Sequence, residues 1–245
     1  MAAFEPLKFS TAYALVAETI EAGIMSGQIK SGDQLPTETS LAAQFGVTRS
    51  TVREGIRQLE QNGLVRREGR RRLHACVPHY KGLATRLSRA LVLGQVTFRQ
   101  LWEAFFAIEP AMARYAAERA TAEELDAMGD NLARTSAALT SRHSVVELDA
   151  EFHELLARSA RSQALLLGRE PVSMLFLPAV KLMMERLPQS AAQRMYVAHM
   201  HVYTAMRERN PNEAGHWMGK HIIDFQRGYA LAGLEMDGAV GTSDD

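Results

Sequence analysis

The chain has 245 residues, of which 47% are hydrophobic and 23% are charged, and these proportions are typical of a globular protein. Its formal net charge is zero, which argues against a general, charge-driven binder of nucleic acid. The longest apolar runs, such as 172–180, are too short to span a membrane, and the first residues lack the pattern of a secretion signal. The single cysteine, Cys76, cannot form an internal disulfide, so a reducing cytoplasm is predicted.

Residues 1–78 are predicted to form a small domain of three helices and a hairpin. Apolar residues recur at helical spacing over 10–27, and two further helices are predicted after Thr37 and from Thr48. Two short β-prone segments follow, with an arginine-rich tip between them. This order of elements is that of a winged helix-turn-helix.

The third predicted helix and the hairpin tip carry a cluster of positive charge. From Arg49 to Arg72 there are eight arginines and three glutamates, a local net charge of +5. By charge alone, such a cluster is equally typical of a phosphate-binding surface and of a solvated one. In a helix-turn-helix, however, residues at the start of this helix reach base edges, and an arginine can bond guanine through two atoms. The predicted DNA contacts are Thr48, Arg49, Ser50, Thr51, Arg53, Arg57, Gly69, Arg70, Arg71 and Arg72.

After the hairpin, the sequence has helical periodicity throughout. We expect a linker helix over 79–94, a helical domain over 95–235 and a disordered tail over 236–245. The helix over 163–186 is expected to be interrupted by its two prolines. The predicted fold class is therefore mainly α, with an N-terminal winged helix-turn-helix and a C-terminal bundle of six or seven helices.

Four side chains that can bind a metal fall on apolar faces of three predicted helices. Asp149 lies in the apolar stripe of the helix over 143–159, with His153 one turn later, and His199 and His221 lie on the apolar faces of two later helices. A buried carboxylate needs a cation or hydrogen-bond donors. Imidazoles and a carboxylate together suit zinc, nickel, manganese or iron. Core histidines with hydrogen-bond partners are the alternative, and helical spacing alone leaves both readings open.

The first half of the chain resembles a known family. The segment IKSGDQLPTETSLAAQFGVTRSTVREGIRQLEQNGLVRR resembles the DNA-binding domain of GntR-family regulators, in which the positions of Arg49 and Arg53 contact DNA. Relatives commonly have an arginine where Thr39 stands, and a Gly-x-Gly wing tip where this chain has Gly69-Arg70-Arg71. These departures imply a different operator preference.

The second half resembles the FCD ligand-sensing domain of the FadR subfamily. The resemblance lies in DAEFH at 149–153, in IEPAMARYAAERAT at 108–121 and in the spacing of His199 to His221. Members with this pattern bind a divalent metal, whose open positions often take a carboxylate of the effector. The resemblance therefore implies a metal site, with zinc as the first expectation, formed by Asp149, His153, His199 and His221.

Two departures from the FCD pattern concern the effector. The family usually has an arginine at the place of Phe105, where it can pair with an acidic effector, and Ser-Gly-Asn where this chain has 159–161. We therefore expect an effector that is more apolar than a hydroxy acid, or one that is anchored by Arg158 or Arg194.

The predicted function is a ligand-responsive transcription regulator, and more specifically a repressor. It is expected to bind a pseudo-palindromic operator as a homodimer and to respond to a small organic effector with a carboxylate, without a membrane partner. An enzyme is not predicted, because no convincing nucleophile or acid and base pair accompanies the metal ligands. The alternatives are a sensor of the metal itself, a metal-free sensor of an acyl thioester and, remotely, a metal-dependent enzyme.

Overall fold

The protein is mainly α-helical and divides into two compact units, with the division between Gly82 and Leu83. The predicted fold class is confirmed, because the described strands form a single hairpin and the other elements are helices. No described helix is both long enough and apolar enough to cross a membrane. The structure is a computed structural model that describes residues 11–69, 72–76, 80–141 and 143–240, with the backbone alone at 80–83, 188 and 189.

The first unit contains three helices and a hairpin. The Thr37 and Thr48 side chains each accept a hydrogen bond of 3.2 Å from a backbone N–H in the first turn of the second and third helices. Gly46 and Gly63 end these helices in the left-handed conformation, with φ of 65° and 75°. The elements are α1 (Ala12–Met25), α2 (Glu38–Phe45), α3 (Arg49–Asn62) and the antiparallel strands β1 (Val65–Glu68) and β2 (Arg72–Ala75).

Helix α3 packs tightly against α1. Val52, Ile56 and Leu59 of α3 are fully buried at helical spacing. Between them lies Gly55, where an added Cβ would be only 2.8 Å from the carbonyl oxygen of Tyr13. Because α1 covers this face of α3, the opposite face of α3 is exposed to solvent.

The second unit is a bundle of helices around one apolar core. Helix α5 is central, because it packs against α7, α8, α9 and α10. The helices after the hairpin are α4 (Tyr80–Leu93), α5 (Phe98–Arg119), α6 (Ala122–Ser141), α7 (Val146–Ser159), α8 (Gln163–Arg186), α9 (Pro188–Arg207) and α10 (Pro211–Leu231).

Helix α8 is continuous, so the predicted interruption near Pro171 and Pro178 is wrong. Each proline removes one backbone donor and leaves the carbonyl four residues earlier without its helical partner. Those carbonyls belong to Leu167 and Met174, whose side chains are exposed, so water can supply the missing hydrogen bonds there. The chain can therefore keep its helical course across both prolines.

The tail is predicted to be disordered from residue 236, but residues 236–240 make defined contacts. Asp237 accepts two hydrogen bonds from the Arg99 guanidinium, at 2.7 and 2.9 Å, and the N–H of Val240 donates to the carbonyl of Val96. Residues 236–240 are therefore held against the start of α5, through a charge pair and backbone bonds that helical periodicity does not reveal. Residues 241–245 lie outside the described chain.

Candidate functional site

Four buried side chains from three helices meet in the second unit. Asp149 and His153 lie one turn apart on α7, His199 comes from α9 and His221 from α10. One ligand atom of each lies within 4.8 Å of the others. The Nε2 atom of His221 is 3.2 Å from that of His153 and 3.3 Å from that of His199. The structure thus brings together all four side chains that the sequence proposes as metal ligands.

The spacing of these atoms suits a metal ion. Two nitrogens bound tetrahedrally to one zinc ion at about 2.0–2.1 Å are about 3.4 Å apart, close to the separations between the His221 nitrogen and its two neighbours. The Oδ1 atom of Asp149 lies 3.6 Å from His199 Nε2 and 3.9 Å from His153 Nε2. Its carboxylate accepts no hydrogen bond from any described residue, although the residue is only 8% exposed. A buried carboxylate without donors is costly, and a divalent cation would stabilise it.

Glu109 of α5 orients one of the imidazoles. Its Oε2 atom lies 2.9 Å from His153 Nδ1, and its Oε1 atom accepts a hydrogen bond from Nε of Arg169 on α8. Glu109 is 0% exposed and Arg169 is 2% exposed. A carboxylate at Nδ1 holds the proton on that atom, so Nε2 of His153 presents its lone pair to the cluster.

Burial controls the charges of the cluster. It lowers the pKa of His221 to about 3 and the pKa of His199 well below its usual value, and neighbouring imidazoles add to both effects. Burial also raises the pKa of Asp149. Although burial opposes the ionisation of Glu109, Arg169 and His153 lower its pKa to about 2. Neutral imidazoles beside an ionised orienting carboxylate are the form that binds a metal.

His153 differs from the other two imidazoles. Burial alone would lower its pKa, but the charge and the hydrogen bond of Glu109 outweigh burial and raise it. Two rings hold the geometry of the cluster: Phe152 stacks on His199 with centroids 3.9 Å apart, and His153 packs beside Phe105 at 6.2 Å. By contrast, His201 is exposed and stacks on Trp217, outside the cluster.

A small cavity adjoins the cluster. The volume open to water molecules is about 50 Å³, which is room for about three to five waters or a small organic molecule. Three of the four candidate ligands form part of its wall: Asp149, His153 and His221. The remaining wall is largely aromatic and aliphatic, formed in part by Phe105, Phe176, Phe225, Val180, Met183 and Met195.

The structure separates the residues proposed for the effector pocket. Phe105 and Arg194 lie on the cavity wall, and the Arg194 guanidinium donates to Asp224 at 2.8 Å. Arg158 does not lie on this wall, and its guanidinium donates to Glu154 at 2.7 Å on the exposed side of α7. Of the two arginines, only Arg194 can therefore reach a molecule in this cavity.

Sequence reasoning missed Glu109 and Arg169, although both carry a signal. Glu109 lies four residues after the buried Phe105 on the apolar stripe of α5, and Arg169 lies seven residues before the buried Phe176 on that of α8. A charged residue within an apolar stripe is the same signal that singled out Asp149.

The second candidate surface is the exposed face of α3. Thr48 caps the helix, and its hydroxyl lies 2.8 Å from the hydroxyls of both Ser50 and Thr51. Arg49 is exposed, and the Arg53 and Arg57 side chains are 64% and 63% exposed. The structure thus presents the proposed helical DNA contacts together on one accessible surface. At the hairpin, Gly69 and Arg72 are exposed, while Arg70 and Arg71 lie outside the described residues.

Arg67 supports this surface and was not predicted to have a role. Its guanidinium bonds Glu38 of α2 at 3.2 Å and Glu60 of α3 at 3.0 Å. Glu38 also lies 3.5 Å from Nε of Arg53. One arginine of β1 thereby ties the hairpin to both helices of the helix-turn-helix.

Two family patterns match the chain, one in each compact unit. Residues 12–74 match the family described as bacterial regulatory proteins, gntR family, and residues 100–224 match the FCD domain. The chain belongs to the GntR family of regulators and carries an FCD domain. The resemblances to GntR-family regulators and to the FCD domain are thereby confirmed.

Curated relatives match this GntR-family regulator over most of its length. The HTH-type transcriptional repressor NanR of Klebsiella aerogenes is 27% identical over 214 residues, which are 85% of this chain and 81% of that protein. NanR of Escherichia coli K12 is likewise 27% identical, over 85% of this chain and 80% of that protein. These families and relatives are transcription regulators, so the protein is a DNA-binding regulator of the GntR/FCD type and not an enzyme.

A solved structure shares the fold. Streptococcus agalactiae GntR is 24% identical and covers 88% of this chain and 99% of its own, with a TM-score of 0.64. At this identity the match concerns the arrangement of the elements alone. It agrees with the helical fold and small hairpin described above.

Proposed function

We propose that this regulator is a repressor whose helical domain binds one divalent metal and a small organic effector. The observation that carries the proposal is the buried set of Asp149, His153, His199 and His221 beside a small cavity. The FCD assignment supports a ligand-sensing role for the same residues. The repressor NanR, a relative over most of the chain, supports the direction of regulation.

In this proposal the chain is organised in three parts. Residues 1–78 read the operator, residues 79–94 form a linker helix and residues 95–235 sense the ligand. Two copies in a cytoplasmic homodimer present two α3 helices to the half-sites of a pseudo-palindrome. The proposed DNA contacts are the exposed polar residues of α3 and of the hairpin tip. Arginines give base recognition, and hydroxyls and helix-start amides hold phosphates.

Zinc is the first candidate for the metal, and nickel, manganese and iron are the others. Three imidazoles and one carboxylate suit all four ions, and the cavity on one side of the cluster leaves room for an additional ligand. When bound, the ion supplies a Lewis-acidic centre that attracts an anionic group of the effector. The four side chains would hold the ion, and Glu109 would orient the imidazole of His153 toward it.

The cavity also bears on the two alternative sensors. A regulator that responds to the metal alone has no need for a pocket beside the ion, so the cavity favours an organic signal. The space of about 50 Å³ beside the cluster suits a compact effector better than the long chain of an acyl thioester. Effector binding is expected to shift the protein between two conformations that differ in operator affinity. The shift can be no larger than the effector's preference for one of these conformations.

The proposal is tested by measuring operator affinity with and without the metal. Duplexes that bind the full-length protein are first selected from a random pool, and fluorescence anisotropy at fixed salt then gives the affinity. We expect specific binding to a duplex with two-fold symmetry, and a different affinity after chelation and dialysis. Equal affinities of the loaded and stripped protein, under all candidate effectors tested, would contradict a metal-dependent regulator.

A further inference from the structure

We propose that Arg169 is the anchor for an anionic group of the effector, and that the effector is a compact carboxylate with an apolar or aromatic body. This inference rests on the proposed function, because it assigns a ligand class to the cavity beside the metal cluster. Arg169 lies on the cavity wall, and its side chain is 3% exposed. It comes from α8, whereas the candidate metal ligands come from α7, α9 and α10.

The guanidinium of Arg169 is held in place but is not saturated. Its Nε atom donates to Glu109, which fixes the plane of the group. Its terminal nitrogens make no hydrogen bond with a described residue, and Glu170, whose Oε2 atom lies 3.7 Å from Nη1, is not on the cavity wall. An arginine has five N–H donors, and Glu109 engages only the one on Nε. The unused donors of this buried group are therefore available to an acceptor inside the cavity.

The charge of the centre would also favour an anion. With a divalent ion bound, the centre formed by that ion, Asp149, Glu109 and Arg169 carries one net positive charge. A carboxylate in the cavity would neutralise this charge and would accept two parallel hydrogen bonds from one guanidinium. Glu109 connects the two halves of the centre, because it bonds both Arg169 and His153.

The rest of the wall determines the body of the ligand. Phe105 and Phe176 stack with centroids 4.5 Å apart and an interplanar angle of 4°, and Phe225 lies against Phe176 at 4.8 Å. The carbon of the Arg169 guanidinium lies 5.4 Å from the centre of the Phe105 ring. An apolar surface next to a planar guanidinium group suits a small carboxylic acid that carries an aromatic or branched aliphatic group.

Arg194 is the competing anchor on the same wall. Its side chain is 40% exposed, and its Nε atom is engaged by Asp224 at 2.8 Å, so solvent and a carboxylate already satisfy part of its charge. An exposed ion pair contributes little to affinity. The Arg169 side chain is only 3% exposed and lies on the cavity wall, so a carboxylate bound there would be shielded from solvent and better discriminated from its neutral analogue.

The test uses the zinc-loaded full-length protein with benzoate as the probe and benzamide as its uncharged analogue. Calorimetric titration is carried out on wild type, Arg169→Met, Arg169→Lys and Arg194→Met. Arg134→Met is the matched control, because Arg134 forms an exposed pair with Glu151 on another face. We expect benzoate to bind wild type at least tenfold more tightly than benzamide. Arg169→Met should lose about 10- to 100-fold in benzoate affinity, and Arg169→Lys about tenfold, because lysine keeps the charge without the fork.

The zinc content of each variant separates this inference from the proposed function. Benzoate affinity that is unchanged in a zinc-containing Arg169→Met protein would overturn the anchor, and so would a loss that appears only in Arg194→Met. Failure of wild type to bind benzoate, or equal binding of benzamide, would also overturn it. If wild type holds no zinc but its benzoate binding depends on Arg169, the metal proposal fails and the anchor stands. If Arg169→Met does not fold, the comparison of Arg169→Lys with wild type decides.

Discussion

Replacing Glu109 by glutamine tests how the buried cluster is organised. Glu109 accepts from two donors at once, the Nδ1 of His153 at 2.9 Å and the Nε of Arg169. A glutamine has one acceptor oxygen, so if that oxygen serves Arg169 its amino group faces His153. The imidazole then keeps its proton on Nε2 and cannot offer that atom to a metal.

Two magnitudes follow from this geometry. Loss of an orienting carboxylate lowers metal affinity by about 10- to 100-fold. Because Glu109 is fully buried, its loss also leaves the Arg169 charge without a counter-charge, which costs about 3–5 kcal/mol of unfolding free energy. At about 2–4 °C per kcal/mol, this corresponds to a fall in melting temperature of about 6–20 °C.

The assay is calorimetric titration of zinc into metal-stripped protein, with thermal unfolding followed by circular dichroism. Glu151→Gln is the control, because Glu151 accepts comparable bonds from Asn131 and Arg134 but its side chain is 41% exposed. The control should change zinc affinity less than twofold. If Glu109→Gln binds zinc as tightly as wild type, our account of how His153 is oriented is wrong.

Three further predictions concern other parts of the molecule. Arg53→Ala should weaken operator binding by about 1–3 kcal/mol in anisotropy titrations. The melting temperature should change little, because the Arg53 side chain is 64% exposed, and an unchanged operator affinity would contradict the role of α3 in DNA recognition. Gly55→Ala should destabilise the first unit by about 1–3 kcal/mol in urea unfolding, because the added Cβ would lie 2.8 Å from a backbone oxygen. The control Gly168→Ala has open space around the added Cβ and should not destabilise the protein, and equal effects of the two substitutions would contradict the packing of α1 on α3. Removing the metal with a chelator should lower the melting temperature by about 8–16 °C at a thousandfold excess of metal over its dissociation constant, and reloading should restore it; an unchanged temperature would contradict a bound ion.

Much of the fold follows from local sequence patterns. The caps Thr37 and Thr48 and the glycines after α2 and α3 place the helices of the first unit, because capping is a property of neighbouring residues. The inward positions of His199 and His221 follow in the same way from helical periodicity. Periodicity cannot show that these side chains meet, because their convergence depends on how three helices pack.

The missed residues show where local reasoning stops. Arg169 precedes Pro171 by two residues on α8. A helix that is expected to break at Pro171 does not predict that Arg169 shares a face with Phe176, which lies beyond the proline. Arg158 was considered as an effector contact, but the structure places its guanidinium beside Glu154 on the exposed side of α7. The ordered contact of Asp237 with Arg99 joins residues 138 positions apart, and no local pattern encodes it.

The most direct test of the central claim is the metal content of the purified, tag-free protein, measured by plasma mass spectrometry. Wild type is compared with His153→Ala and with His201→Ala, whose histidine is exposed and lies outside the cluster. The account predicts about one equivalent of a divalent metal per chain in wild type and in His201→Ala, and its loss in His153→Ala. A wild-type protein that holds no metal even after reloading, or a His153→Ala protein that keeps it, would contradict the account.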